Sequence, residues 1–415
     1  MRILRRWKLR IVLFFAVIGP GFITANVDND AGGIYTYSLA GARYGYTLLW
    51  TLIPVTLALV VVQEMSARLG AVTGKGLADL IREEFGFRIT FFLMLALTLA
   101  NLANVMGEFA GVASSMELFG ISKYLSVPAV AAFVWLLVVR GTYKSVEKVF
   151  LIACSFYVCY IVSGVMADPD WLVAAEAMFR PTLQLDSGYL TMLVGMMGAT
   201  VAPWMQFYLQ SAIVEKGVEQ RRYAGSRLEV IVGCIVMIVI TFFIIVSCAA
   251  TLHVAGRRDI ADAADAAQAL RPLAGEYASI LFALGLFNAS VFAASILPLA
   301  TAYSVCEGLG FEAGVNKKFR EAPVFYWLYT SLIALGAGMI LIPGIPLVRI
   351  AYFSQVANGF LLPFVLVFML LLVNRMDLMG QFANSRGHNF VARATVGALV
   401  LLTVSLVALS FWESR

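Results

Sequence analysis

The chain has 415 residues, of which 61% are hydrophobic and only 13% are charged, and its mean hydropathy is +0.86. A soluble domain of this length cannot bury so much apolar surface, so the composition excludes soluble enzymes and indicates an integral membrane protein. A membrane-spanning helix needs about 20 apolar residues, so the length allows roughly 10–12 spans and leaves no room for a separate catalytic domain.

Eleven apolar segments follow one another along the chain, and each predicts a transmembrane helix. The predicted spans 1 to 11 are 9–41, 45–69, 88–118, 124–141, 145–167, 187–214, 224–252, 276–308, 322–342, 346–373 and 391–411. Between them, residues 73–87 predict a short cytoplasmic helix, and residues 253–275 predict a short extracellular surface helix.

The basic residues are distributed unevenly between the two sides of this predicted topology. If the N-terminus is cytoplasmic, 22 of the 30 Lys and Arg residues fall inside and 8 fall outside. Because cytoplasmic loops are enriched in Lys and Arg, we predict a cytoplasmic N-terminus and an extracytoplasmic C-terminus. The net charge of +5 is therefore a topology signal and does not indicate nucleic-acid binding. The compact loops favour a location in the cell (inner) membrane. The lipid bilayer is the expected surrounding of the protein, and no obligate protein partner is indicated.

Span 1 changes character at residues 26–33, where two carboxylates, two amides and a Gly pair stand at membrane depth. A charge at that depth costs on the order of 3 kcal/mol, and unwound backbone is tolerated there only where it lines a cavity or is buried in protein. One interpretation places Asp28 and Asp30 in water at the outer end of the span. A broken helix lining an ion site is favoured instead, because apolar helix-forming residues (34–39) follow the Gly pair.

Span 6 carries a matching feature at residues 195–204, which include Pro203. Proline removes a backbone donor and breaks the helix, which leaves the carbonyl of a residue such as Ala199 free for a cation. Alone this would be a simple proline kink. Paired with the polar run five helices earlier, it indicates inverted repeats with a site between them. We predict a single transporter domain over 1–415, with repeat one at 9–167, repeat two at 187–373 and an extra helix at 391–411.

Polar side chains also occur inside spans 3 and 10. Gln355 in span 10 offers an amide oxygen that suits a hard cation or its bound water, although hydrogen bonding between helices would explain it equally well. In span 3, Asn101, Asn104 and Glu108 share one helix face. They either line a hydrated path to the site or only join helices, and the sequence leaves both readings open.

Two further observations limit the chemistry. Glu64, at the inner end of span 2, is expected at the membrane interface near Arg68. The only histidines, His253 and His388, fall at span ends or in loops, which excludes an imidazole proton relay in the membrane core. Sequence motifs of ATPases, metalloproteases and serine hydrolases are absent, so we expect a transporter that is not an enzyme and has no cofactor.

At these residues the sequence resembles the Nramp family of divalent-metal transporters, over nearly the whole chain. The similar segments are GPGF at 19–22, the acid of a DPGN-like motif at Asp30, SARLGAVTGKGLADLIREEFG at 66–86, GATVAPW at 198–204, LFALGLFNAS at 281–290 and SQV at 354–356. The resemblance implies an all-α integral membrane protein with a LeuT-type inverted 5+5 helix repeat, about 11 transmembrane helices, and helices 1 and 6 broken. It also implies an ion carried between helices 1, 6 and 10, with proton coupling in the Mn²⁺ and Fe²⁺ transporters.

The sequence departs from the family pattern where ion selectivity would be set. Gly33 replaces a ligand asparagine, Ala202 replaces a thioether ligand, and Trp204 replaces a histidine tied to proton movement. The acid pair of the family's proton path on helix 3 is not clearly present, since Asn104 and Glu108 do not fall squarely onto it. These departures are similar to the Nramp-related magnesium transporter branch.

A metal site follows as a hypothesis from this resemblance and from ligand chemistry. Thioethers favour transition metals, whereas Mg²⁺ takes oxygen ligands and keeps several waters. Asp30 would supply the main charge, Gln355 and the carbonyls of Ala199 and Val27 would supply oxygens, and Gly33 and Ala202 would make space. The weaker candidates, beside the ion or along its path, are Asp28, Asn29, Trp204, Asn104 and Glu108.

The expected function is uptake of Mg²⁺, and also Mn²⁺, by alternating access without proton coupling. Two charges moving through 100 mV release about 4.6 kcal/mol, which supports roughly thousandfold accumulation. The alternative within the class is a proton-coupled Mn²⁺/Fe²⁺ importer, against which Ala202 and Trp204 argue. A symporter of small organic solutes would need neutral or cationic groups around the solute in the break of span 1, where this sequence has two acids, Asp28 and Asp30. A third class is a membrane receptor or structural protein. Substitution of Asp30 distinguishes it from a transporter, because a transport site would lose flux whereas a structural role would lose folded protein.

Overall fold

The computed structural model of the chain describes residues 20–140, 158–218, 220, 223–261, 263–267 and 278–413. Every regular element in these residues is helical, as expected where no water is present to satisfy an open backbone. Nine helical stretches within this part of the chain are long and apolar enough to cross a membrane.

The helices follow the predicted spans in chain order. The first half contains α1 (Pro20–Val27), α2 (Ala31–Tyr44), α3 (Leu52–Thr73), α4 (Leu77–Phe85), α5 (Phe87–Glu117), α6 (Lys123–Arg140) and α7 (Val158–Met166). The second half contains α8 (Trp171–Phe179), α9 (Ser187–Thr200), α10 (Pro203–Glu215), α11 (Tyr223–Cys248), α12 (Ala263–Ala267), α13 (Ala278–Leu309), α14 (Pro323–Ile340) and α15 (Leu347–Val373). After these come the short α16 (Met376–Met379) and the long α17 (Arg386–Glu413).

Most predicted span boundaries lie within a few residues of the observed helices. Among the described residues, α3 begins at Leu52, seven residues after the predicted start of span 2, and α17 begins at Arg386, five residues before the predicted start of span 11. Helix α17 begins with polar residues because their side chains have hydrogen-bonding partners there. Asn389, for example, exchanges hydrogen bonds of 2.7 and 2.8 Å with Asn374. Residues 9–19 of span 1 and 145–157 of span 5 lie outside the described part of the chain.

Short helices lie between the spans. The predicted helix at 73–87 is confirmed as α4, which buries Leu77, Leu80 and Ile81. Of the surface helix predicted at 253–275, the described part is the five-residue α12, and residues 268–275 lie outside the description. The sequence analysis missed α8, although its signal is plain: the Asp170 carboxylate caps it by accepting from two backbone amides, each at 3.1 Å.

The long helices pack as two groups. In one group, α11 packs on α1 and α3, and α10 packs on α3. In the other group, α13, α14 and α6 all pack on α5. Helix α15 lies against both α5 and α9. The interruptions between α1 and α2 and between α9 and α10 therefore fall where the two groups meet, as the prediction that helices 1 and 6 are broken requires.

Candidate metal-binding site at two broken helices

The first break separates α1 from α2 and consists of residues 28–30. Asp30 has extended backbone (φ −70°, ψ −176°) and caps α2, with its Oδ1 accepting from the amide of Gly33 at 2.6 Å. The amide of Ala31, which would donate to the Val27 carbonyl in a continuous helix, donates instead to Glu108 Oε2 at 3.2 Å. The Val27 carbonyl thus lies at a helix end without its usual helical donor, as the ligand hypothesis requires.

The second break separates α9 from α10. Pro203 occupies the first position of α10 and has no N–H, so the carbonyl of Ala199 lacks the donor that a continuous helix would give it. The amide of Val201 still donates to Met197 at 2.9 Å, which closes the last turn of α9. The Ala202 carbonyl is already paired, since it accepts from the Met205 amide at 3.2 Å. Of these carbonyls, that of Ala199 is the one that loses its helical donor to the proline, as a ligand role requires.

The two breaks and α15 come into direct contact. The Tyr37 hydroxyl in α2 lies 3.0 Å from Thr200 Oγ1, at the end of α9. Gly198 lies so close to the backbone carbonyl of Gln355 that a side chain at position 198 would collide with it, and Gly32 lies equally close to the Gln355 side chain. Glycine at both positions therefore allows α2, α9 and α15 to approach one another.

Three polar side chains meet at this contact. Gln355 Nε2 lies 3.4 and 3.5 Å from the two carboxylate oxygens of Asp30. The Glu108 carboxyl also reaches Asp30 within hydrogen-bonding distance. All three side chains are buried, and neither acid forms an ion pair with a Lys, Arg or His within the described residues. Buried carboxylates without a base favour binding of a cation, since an unpaired buried charge is costly.

A chain of amides holds Gln355 in place. Its Oε1 accepts from Asn358 Nδ2 at 2.9 Å, and Asn358 exchanges hydrogen bonds of 2.9 and 3.2 Å with Asn104. In this arrangement the amide nitrogen of Gln355 faces Asp30. A half-turn of the terminal amide would present its oxygen to a cation, and the Asn358 and Asn104 amides would turn with it to keep their hydrogen bonds.

Asp28 and Asn29 point to another side of the break, toward α11. Asn29 Oδ1 accepts from the Thr241 hydroxyl at 3.2 Å, and Asp28 lies near Cys234 of α11. Asp28 is 2% exposed, and its Oδ2 has no hydrogen-bond partner among the described residues. The structure therefore places the two acids of the break on different sides, with Asp30 toward Gln355 and Asp28 toward α11.

Comparison with known proteins shows which family has this architecture. The family model described as natural resistance-associated macrophage protein-like (Nramp) matches residues 21–409. The chain belongs to the Nramp family. A curated relative from Deinococcus radiodurans, named divalent metal cation transporter MntH, is 30% identical over 408 residues, which cover 95% of this chain and 89% of that protein.

Solved structures confirm the LeuT-type fold of this Nramp-family chain. A manganese transporter of Eremococcus coleocola, solved with an aromatic bis-isothiourea compound, gives a TM-score of 0.74 at 22% identity and covers 94% of this chain and 85% of its own. The transporter MhsT in complex with L-phenylalanine gives a TM-score of 0.60 at 13% identity and covers 93% and 98%, respectively. At these identities the likeness concerns the fold alone.

The three positions predicted to depart from the family pattern, Gly33, Ala202 and Trp204, are all buried. At Gly33, a side chain would meet the backbone carbonyl of Asp28 in this conformation, so the space expected there is filled by the main chain. The Trp204 ring packs near Tyr208, with centroids 6.4 Å apart. Among the described residues, no hydrogen bond joins Trp204 to Asp30.

The polar face of span 3 divides into two roles. Asn101 donates to Thr301 in α13 at 2.8 Å, and Asn104 pairs with Asn358 in α15, so both join helices. Glu108, which the sequence ranked among the weaker candidates, lies at the site itself. Sequence reasoning missed Tyr37, although its position two turns after Asp30 places both on one face of α2.

Proposed function

We propose that this divalent metal cation transporter of the Nramp type carries Mg²⁺ as its main cargo, accepts Mn²⁺, and works without proton coupling. The observation that carries the proposal is a buried acid, Asp30, placed among amide and carbonyl groups at the meeting point of two broken helices. The curated relatives are named as transporters, in agreement with the prediction that the chain is not an enzyme. A cytoplasmic N-terminus is part of the proposal.

The ligand set supports a hard cation. Asp30 would supply a carboxylate, Gln355 an amide oxygen after its half-turn, and Val27 and Ala199 the carbonyls left without helical donors. All of these ligands are oxygens, and Ala202 stands where a thioether would select a transition metal. Mg²⁺ binds few protein oxygens and retains water, so four oxygens suffice to hold it partly hydrated.

The packing supports alternating access. The site lies where the group α1, α3, α10 and α11 meets the group built on α5. Rocking one group against the other would open the ion to each face in turn. For Mg²⁺, a potential of 100 mV supplies about 4.6 kcal/mol, so a coupled proton is not required for uptake.

One observation favours a second function, proton-coupled import of Mn²⁺. Glu108 is a carboxyl in direct contact with Asp30, and such a pair can hold a proton when the metal is absent. A solved relative of similar fold is described as a manganese transporter. The two functions differ in whether a proton accompanies the metal.

Flux measurements in proteoliposomes separate the two. Purified protein is reconstituted with an Mg²⁺ or Mn²⁺ indicator and a pH dye in the lumen, with and without an imposed potential. We expect potential-driven Mg²⁺ entry with no change in lumenal pH, and loss of that entry in Asp30→Asn. Mn²⁺ entry with acidification, and no Mg²⁺ flux, would instead establish the proton-coupled importer.

A further inference from the structure

A cavity of about 380 Å³ lies apart from the metal site, between α3, α9 and α17. Its size falls in the range of ligand pockets, roughly 300–1,000 Å³. The lining includes Trp50 just before α3, Ala58 of α3, Met196 and Thr200 of α9, and Ala398 and Leu402 of α17, and none of its lining residues is charged.

The cavity has an exposed, apolar rim on the surface of the helices that line it. All three helices that line it belong to stretches able to cross a bilayer. At its rim, Leu57 is 57% exposed and Phe390 is 75% exposed. An apolar cavity does not retain water, so hydrocarbon from the bilayer is the material that fills it.

The shape of the cavity matches a lipid chain. Along α17 its lining runs from Phe390 to Leu402, which is about 18 Å at 1.5 Å per residue. One leaflet of hydrocarbon is about 15 Å thick, so an acyl chain lying along α17 fills the cavity from end to end.

A positive charge stands at one end of this path. Arg386 begins α17 one turn before Phe390, is exposed, and forms no ion pair with a described residue. A lipid phosphate at Arg386 would place its acyl chain along the lining of α17. We propose that a phospholipid, anionic in its headgroup, inserts one acyl chain into this cavity with its headgroup at Arg386.

The inserted chain would touch the end of a broken helix. Thr200 and Met196 line the cavity and belong to the last turns of α9, and Thr200 is hydrogen bonded to Tyr37 across the two breaks. The lipid therefore supports α9 where the proline break leaves it without a continuous helix. This inference does not depend on which metal is transported.

Fluorescence quenching in proteoliposomes tests the insertion. Trp50 lines the cavity, so phosphatidylglycerol with bromine in its acyl chains should quench it, and subtracting Trp50→Phe removes the signal of the other tryptophans. Ala398→Phe fills the cavity from an exposed position, and we expect it to remove most of the quenching of Trp50. Val404→Phe adds the same ring to an exposed site of α17 outside the lining and should leave the quenching unchanged.

The headgroup is tested separately by lipid retention in native mass spectrometry. Arg386→Gln should lower the preference for phosphatidylglycerol over phosphatidylcholine roughly fivefold, the weight of one basic residue at an anionic surface. Equal quenching in Ala398→Phe and Val404→Phe would overturn the proposal, as would unchanged lipid preference in Arg386→Gln. If Ala398→Phe fails to fold by size exclusion, Ala394→Phe probes the same lining and is read in the same way.

Discussion

Among the described residues, two regions contain fully buried acidic side chains, and they differ in what neutralises the charge. Near the end of α3, Glu64 lies 3.2 Å from Arg68 Nη2 and accepts a hydrogen bond from the Tyr223 hydroxyl. Arg68 also donates to the Phe382 carbonyl at 2.8 Å. This network joins α3 to α11 and to the segment before α17. Its acid is paired with a base.

At the breaks, by contrast, Asp28, Asp30 and Glu108 are buried without a base among the described residues. In a buried ion pair the two charges neutralise each other, so the pair contributes to the stability of the fold. Buried acids without a base require a cation from solution to neutralise them. The comparison assigns the first region to stability and the second to cargo. Each prediction below tests one side of that assignment.

The largest effect is expected at Asp30. Asp30→Asn keeps the size of the side chain and an acceptor for the Gly33 amide but removes the charge, so metal flux should fall by about a hundredfold or more, at the upper limit of single-partner losses at metal sites. Flux is measured in proteoliposomes, and size exclusion reports the folded fraction. Asp259→Asn, an exposed acid paired with Arg43, is the matched control and should keep wild-type flux. Loss of folded protein with normal flux per folded molecule would assign Asp30 to structure.

The paired region should respond in stability. Arg68→Met leaves Glu64 buried with only His388 Nε2, 3.9 Å away, as a base, which should lower the free energy of unfolding by about 3 kcal/mol, the lower end of the cost of breaking a buried pair. Unfolding in detergent measures this loss. Glu64→Gln combined with Arg68→Met should recover most of it, because no unpaired charge then remains. A double variant as unstable as Arg68→Met would show that the pair does not explain the loss.

Glu108 has both a structural and a metal-site contact, since it accepts from the Ala31 amide and contacts Asp30. Glu108→Gln keeps an acceptor for the amide and removes one negative charge. We expect roughly tenfold weaker apparent affinity for Mg²⁺, as for loss of one supporting group at a metal site, with lumenal pH constant before and after the change. Acidification in the wild type that disappears in Glu108→Gln would favour the proton-coupled alternative.

The last change, at Ala202, involves no charge. Ala202→Met restores a soft sulfur beside the break, and the ratio of Mn²⁺ to Mg²⁺ uptake should rise roughly tenfold, or about 1.4 kcal/mol. Competition between the two metals in the flux assay measures the ratio. Ala202→Leu, which adds similar bulk at the same position without sulfur, is the matched control. An unchanged ratio in Ala202→Met would show that sulfur at this position does not set selectivity.

Much of the fold could be predicted because hydropathy and proline are local signals. The spans, the short helix α4 and both helix breaks follow from composition along the chain. The partners of each polar face could not be predicted, because spacing fixes which residues share a face but not what that face meets. Asn104 and Glu108 share a face of α5, yet one joins α15 and the other contacts Asp30.

Glu64 shows the same limit. Its position at the end of an apolar segment predicted an interfacial acid near Arg68. The structure confirms Arg68 as its neighbour at 3.2 Å and shows in addition that the side chains of Glu64 and Arg68 are only 6% and 8% exposed, which the sequence did not indicate. The segment before α17 covers the pair, and Phe382 supplies the carbonyl that Arg68 reaches. A contact more than 300 residues away in sequence leaves no local signal.

The most direct test of the account is to locate the ion. Crystals grown with Mn²⁺, which scatters anomalously and is proposed as a second cargo, would show where a divalent cation binds. We predict one anomalous peak between the Asp30 carboxylate, the Gln355 amide and the carbonyls of Val27 and Ala199, with no peak at Glu64 and Arg68. A peak on the α11 side, beside Asp28 and away from Gln355, would contradict the proposed site.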